Sequence, residues 1–181
     1  YLGAWLLPIL VMGVLMLPVF AQLQAHYGWR GLEPGQRTTL RAHFAADRDI
    51  KPAAALTAGS GVEVETPALW IPSRRELVWR LRAAAAGAHQ VTLDFDGEPT
   101  TKEVVVADGV ARRSPARGKS FWTQLLYPAE PPLPSSSALA EITVDYDDAA
   151  SFFFVPAWCW LLVGLSIPFA LLLKKPFGVE F

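Results

Sequence analysis

Apolar residues concentrate in two charge-free runs at the ends of the chain, Tyr1 to Ala25 and Ala149 to Leu173. Between them apolar and polar positions alternate. About 20 consecutive apolar residues cross the hydrocarbon core of a bilayer. Each run therefore predicts a transmembrane helix, over 1–25 and over 149–173. Strict alternation predicts half-buried strands in the middle. The inward sets are Leu40, Ala42 and Phe44; Val62 and Val64; Leu77, Trp79 and Leu81; Val91, Leu93 and Phe95; and Ile142, Val144 and Tyr146. Shorter strand candidates are Ala54–Ala58, Lys102–Ala107 and Phe121–Tyr127. Turn residues separate them at Pro34-Gly35, Gly59-Ser60-Gly61, Asp96-Gly97 and Asp108-Gly109. Ala83–Ala88 reads as a loop or a strand bend because Gly87 interrupts it. The expected architecture is two transmembrane α-helices flanking a mostly-β domain, an antiparallel β-sandwich of seven to eight strands.

That pattern divides the chain into a first span (1–25), a β-domain (26–148), a second span (149–173) and a short tail (174–181). The chain starts at Tyr1 rather than Met, which implies a processed or missing segment before it. The first run lacks a basic n-region and exceeds the usual apolar core of a signal peptide, so it reads as a retained anchor. Pro8 and Pro18 in the first run, and Pro156 and Pro168 in the second, imply bent helices unless they lie near helix ends. Tyr27 and Trp29 are candidates for the membrane interface, where Tyr and Trp collect. Phe153, Trp158 and Trp160 read either as part of the same belt or as a packing surface for a partner helix. Lys174 and Lys175 follow the second run, and basic residues gather on the cytoplasmic side. The expected location is thus a bacterial inner membrane, crossed twice, with the β-domain extracytoplasmic.

Charge narrows the functional classes. Neither run holds Asp, Glu, Lys, Arg or His, which speaks against an ion path or proton relay built from this chain alone. No histidine in the spans is available to ligate haem iron or a chlorophyll magnesium. Of the 16 Lys and Arg, 14 lie between Gln24 and Asp148, with 16 of the 17 Asp and Glu. The net charge of −1 for the whole chain offers no basic surplus for nucleic acid. Cys159 is the one cysteine and lies in the second run, so no disulfide staples the domain.

Site chemistry is sparse. His26, His43 and His89 lack the spacing of a zinc site, and the domain has neither Cys nor Met to complete a copper site. Asp94, Asp96 and Glu98 lack the glycine and distal glutamate of a calcium loop and read as a solvated strand face. Ser60 is not in a nucleophile elbow, and no glycine-rich phosphate loop occurs. No catalytic residue, metal or cofactor is expected. Arg112, Arg113, Arg117 and Lys119 are candidates for an acidic lipid headgroup or an acidic partner, or for a solvated loop. Phe121, Trp122 and Tyr127 belong to an apolar block that either completes the core or contacts a partner.

The run Glu76 to Val106 carries a resemblance. A strand of alternating large residues leads to Gly87, His89, Val91 and Leu93, then a turn, then Val104–Val106. This resembles the closing strands of bacterial immunoglobulin-like domains and covers about a third of the β-domain. The resemblance implies a fold and no chemistry, since such domains bind partners or act as spacers. The proline-rich excursion from Pro128 to Pro134 departs from it. The expected role is a non-catalytic accessory or structural subunit of a larger membrane-protein complex, with lipids and other integral membrane subunits as partners. A photosynthetic or respiratory energy-transducing assembly would be a suitable host. The alternative is a membrane-anchored ligand-binding or sensor module that signals through a region before Tyr1.

Overall fold

A computed structural model of the chain describes residues 2–45, 53–95, 97–149, 151–152 and 155–177. An apolar helix α1 (Leu2–Tyr27) leads into nine strands, and a second apolar helix closes the chain. The strands are β1 (Arg37–Phe44), β2 (Ala54–Ala58), β3 (Val62–Val64), β4 (Leu69–Ile71), β5 (Glu76–Ala83), β6 (Gly87–Phe95), β7 (Glu98–Val106), β8 (Ala116–Gly118) and β9 (Leu139–Val144). A short helix α2 (Phe121–Leu126) lies between β8 and β9. A two-strand pair, β10 (Ser151–Phe152) with β11 (Val155–Pro156), precedes α3 (Ala157–Phe177).

Two antiparallel sheets share one core. The larger runs β3-β5-β1-β9-β8, and β4 also pairs with β5, so β3 and β4 cover successive halves of that strand. The smaller runs β2-β6-β7. Alternation decides which faces meet. Leu40, Ala42 and Phe44 from β1, and Leu77, Trp79 and Leu81 from β5, share a buried cluster with Val91, Leu93 and Phe95 of β6 and Val104 and Val106 of β7. Phe44 and Phe95 join the sheets directly, their rings 4.9 Å apart. Phe95 pairs with Glu98, and Gly97 of the Asp-Gly signal lies in the β6–β7 connection at a positive φ of 84°, while Asp96 lies outside the described residues.

Four features depart from the sequence expectation. Among the described residues the two sheets hold nine strands, not seven or eight, because β4 (Leu-Trp-Ile) does not alternate and β8 (Ala-Arg-Gly) has no large apolar residue. Phe121–Tyr127 is not a strand. Ser120 caps a helix there, its hydroxyl accepting from the Trp122 N–H at 3.2 Å, and this local cap outweighs the β preference of Phe, Trp and Tyr. The second apolar run does not become helical at Ala149 but at Ala157, just after Pro156, and the helix continues past Leu173 to Phe177. Lys174 and Lys175 therefore belong to α3 rather than to a separate tail.

α1 is long and apolar enough to cross a membrane, and only 11% of its 18-residue stretch Leu10–Tyr27 is buried. The apolar part of α3 among the described residues is shorter, Ala157–Pro168. Pro8 and Pro18 lie inside α1, and Pro156 lies just outside α3.

Candidate functional site

The chain enters and leaves the β-domain through one neck. The Arg30 N–H donates to the Asp147 carbonyl at 2.7 Å, and the Ala149 N–H to the Gly28 carbonyl at 2.9 Å, bracketing an antiparallel bridge between Trp29 and Asp148. Leu32 then bridges to Val106 at the end of β7. Residues that follow α1 are thus paired with residues that lead to α3.

Arg113 locks this neck. It is 1% exposed, one of the largest fully buried side chains. Its guanidinium donates to four carbonyls: Trp29 at 3.1 Å, Ala111 at 3.2 Å, Ala107 at 3.0 Å and Gly109 at 2.7 Å. Its own N–H donates to the Ala25 carbonyl in the last turn of α1 at 2.9 Å. Burial pulls its pKa down from the ordinary arginine value, yet a guanidinium stays charged. A cation at a helix C-terminus also opposes the negative end of the helix dipole. Gly31 makes this closeness feasible, because a Cβ there would sit 1.6 Å from the Ala107 oxygen and 2.6 Å from Arg113 Nη2. Arg113 Nε has no acceptor among the described residues.

Beside the neck the two apolar helices touch. Trp158 Nε1 donates to Gln24 Oε1 at 2.9 Å, and the Phe20 and Trp158 rings lie 6.1 Å apart. An apolar groove of about 300 Å³ lies between α1 and α2, lined by Leu17, Phe20 and Ala21 on one side and Leu125, Leu126 and Tyr127 on the other. Trp29 and Tyr127 face each other with centroids 6.3 Å apart.

The excursion after α2 is tied to the sheets by buried charge. Lys102 on β7 donates to Glu130 Oε2 and to the Ser114 carbonyl, and Glu130 Oε1 accepts the Glu103 N–H at 2.8 Å. Burial lowers the Lys102 pKa, opposed by the Glu130 carboxylate. Tyr146 is also buried; desolvation pushes its phenol up to about 12, and its oxygen accepts the Val105 N–H at 2.9 Å.

The residues singled out from sequence have separate fates. Arg112, Arg113, Arg117 and Lys119 all donate to backbone carbonyls of their own chain: Arg112 to Pro128, Arg117 to Pro131 and Thr101, and Lys119 to Ser135 and Ser137. Phe121 and Trp122 are 71% and 65% exposed and stack edge to face, while Tyr127 turns to Trp29. Trp29 and Trp158 line one groove beside the neck, Tyr27 is exposed at the end of α1, and Trp160 lies half exposed on α3. Phe153 lies outside the described residues, and Lys174 and Lys175 are known only as helical positions. Of the histidines, His26 contacts the Gln22 carbonyl, His89 the Ala85 carbonyl, and His43 the buried Glu76 at 3.1 Å. Asp94 accepts the Gly97 N–H at 3.1 Å and so closes the hairpin. Among the described residues no three His, Cys, Asp or Glu side chains gather as a metal site would need.

Sequence reasoning missed the Arg113 clamp and the Lys102–Glu130 pair. Lys102 did carry a signal: it shares the inward parity of Val104 and Val106. Arg113 carried none, since its role depends on where the end of α1 comes to lie. No protein-family model matches the chain, and no curated protein or solved structure matches it either.

Proposed function

We propose that the chain is a non-catalytic accessory subunit of a larger membrane-protein assembly, with α1 and α3 as its two spans and the β-domain as an extracytoplasmic brace. The observation that carries this reading is the neck. A domain held by paired segments, a buried arginine clamp and a Trp158–Gln24 bond has a restricted reach, which suits bracing better than a mobile binding arm.

Exposed apolar surface supports a second span. On α3, Leu161, Val163, Leu165 and Ile167 are exposed on successive faces, as Leu10, Val14 and Leu15 are on α1. Soluble proteins rarely expose apolar surface so continuously. The two sheets around one core are compatible with an immunoglobulin-like sandwich, and the basic pair Lys174 and Lys175 supports a cytoplasmic C-terminus. An energy-transducing photosynthetic or respiratory complex is a suitable host for such a brace.

The test is purification of the tagged full chain from its native membrane in mild detergent. Other integral subunits should accompany it in fixed ratio, and Trp160→Ala should weaken that retention. Recovery of the chain alone defeats the proposal. Protease access to the β-domain from the cytoplasmic face would overturn the orientation.

A further inference from the structure

α2 has its polarity reversed. Its two polar residues, Thr123 and Gln124, are partly covered by the protein. The Thr123 methyl packs over Gly118, where an added Cβ would lie 3.1 Å away, and Gln124 Nε2 donates to the Glu130 carbonyl at 3.0 Å. Its large apolar residues Phe121, Trp122 and Leu126 face outward. A surface helix in water buries its apolar stripe and exposes its polar one. The reversal is built in rather than frayed, because the Ser120 cap and the Tyr127 N–H bond to the Thr123 carbonyl at 2.8 Å close both ends of the helix.

The position of α2 says what covers it. Its Leu125 and Leu126 share a groove with Leu17, Phe20, Ala21 and Gln24, so α2 lies beside the last turns of α1. Ten residues separate Leu17 from Tyr27, which is about 15 Å of helix at 1.5 Å per residue. The headgroup layer on each side of a bilayer is about 5–7 Å deep. A helix at that level, adjoining the exposed apolar surface of a membrane-length helix, lies at the boundary between headgroups and acyl chains. Trp favours that layer, and interfacial helices sink their apolar face about 5–10 Å into it. The α2 sequence FWTQLL has no charge to resist this.

We infer that α2 is an interfacial membrane element, with Phe121, Trp122 and Leu126 embedded in the leaflet that faces the β-domain. This rests on the reading of α1 as a span. It gives the domain a third hold on the bilayer, which fixes its tilt as well as its height.

The experiment uses the full chain carrying Cys159→Ser, reconstituted in phosphatidylcholine vesicles. Phe121→Cys or, separately, Val14→Cys carries a polarity-sensitive fluorophore. Lipids spin-labelled near the top or near the end of the acyl chain serve as quenchers. The inference predicts blue-shifted emission at position 121 and loss of most of it to the shallow quencher, with position 14 losing most of its emission to the deep one. Quenching at 14 with water-like, unquenched emission at 121 overturns the inference and leaves the span intact. No quenching at either position overturns both. A photo-crosslinker in place of Trp122 in native membranes should form lipid adducts; a protein adduct instead would assign this face to a partner subunit and overturn the inference.

Discussion

Trp158 donates its indole N–H to Gln24 Oε1 at 2.9 Å, joining helices whose contacting residues are 134 positions apart in sequence. Gln24 lies in the last turns of α1, just before the neck, and Trp158 is the second residue of α3. Trp158→Phe keeps an aromatic ring near Phe20 but deletes the donor. It should lower the stability of the full chain in detergent by about 1 kcal/mol, the ordinary worth of such a bond. Gln24→Leu should cost a similar amount, and the double variant less than the sum of the two. A double-mutant cycle on thermal unfolding reads this coupling.

Arg113 serves four carbonyls that have come together because two loops and a helix end converge on it. Arg113→Met retains bulk and strands those acceptors. It should cost about 3 kcal/mol or more, since hydrogen bonds to charged groups are worth about 1.5–3 kcal/mol each and unpaired buried acceptors add a penalty. Arg113→Lys should not restore stability, because an ammonium cannot reproduce the planar fork. Arg112→Ala, one position away on an exposed side chain, should change stability by about 0.5 kcal/mol or less. Urea unfolding of the three variants separates these outcomes.

Lys102 and Glu130 are nearly buried and contact each other. Glu130→Ala would leave an ammonium in the protein interior and should cost about 3–5 kcal/mol. Lys102→Met combined with Glu130→Leu should recover most of that loss, because a buried ion pair stabilises little relative to an apolar pair. Limited proteolysis between Pro128 and Pro134 provides an independent reading, with faster cleavage in Glu130→Ala than in the double variant.

Tyr146 links stability to alkaline pH. Burial raises its phenol from 10.0 to about 12 in the folded chain. Between those values the unfolded chain has released the proton and the folded chain still holds it. The folded state binds more protons there, so stability falls as pH rises through this window, by about 3 kcal/mol for two units. Lys102 acts in the opposite sense below 10.5: its folded pKa is lowered by burial, so its contribution rises with pH and is complete by that point. Tyr146→Phe should flatten the decline between pH 10 and 12 in denaturation curves of otherwise identical samples.

The long strands were legible because burial on one face imposes a period of two. The inward sets of β1, β5, β6 and β9 follow directly from the alternation of residues such as Leu40, Ala42 and Phe44. The turn between β6 and β7 was marked by Gly97, which takes a positive φ there. β4 and β8 were not legible, since Leu-Trp-Ile does not alternate, Ala-Arg-Gly has no large apolar residue, and both depend on a neighbour already in place. α2 was misread because one serine cap overrode the β preference of Phe121, Trp122 and Tyr127. The neck was legible only as two runs that must both reach the domain. Its chemistry was hidden: Arg113 and Arg112 are adjacent, equally basic and indistinguishable by pattern, yet one is a buried clamp and the other lies at the surface. A contact that joins residues 29, 107, 109 and 113 is set by topology, and no local spacing encodes it.

The most direct test of the central claim is the mass of the native particle. The 181 residues of the sequence account for 19.8 kDa of it. Native mass spectrometry of the tagged protein, released from its own membrane in mild detergent, should give a larger particle of one fixed mass. Its dissociation should yield this chain and other integral membrane polypeptides in whole-number ratio. A particle holding this polypeptide alone, with detergent and lipid and no second polypeptide, would contradict the account.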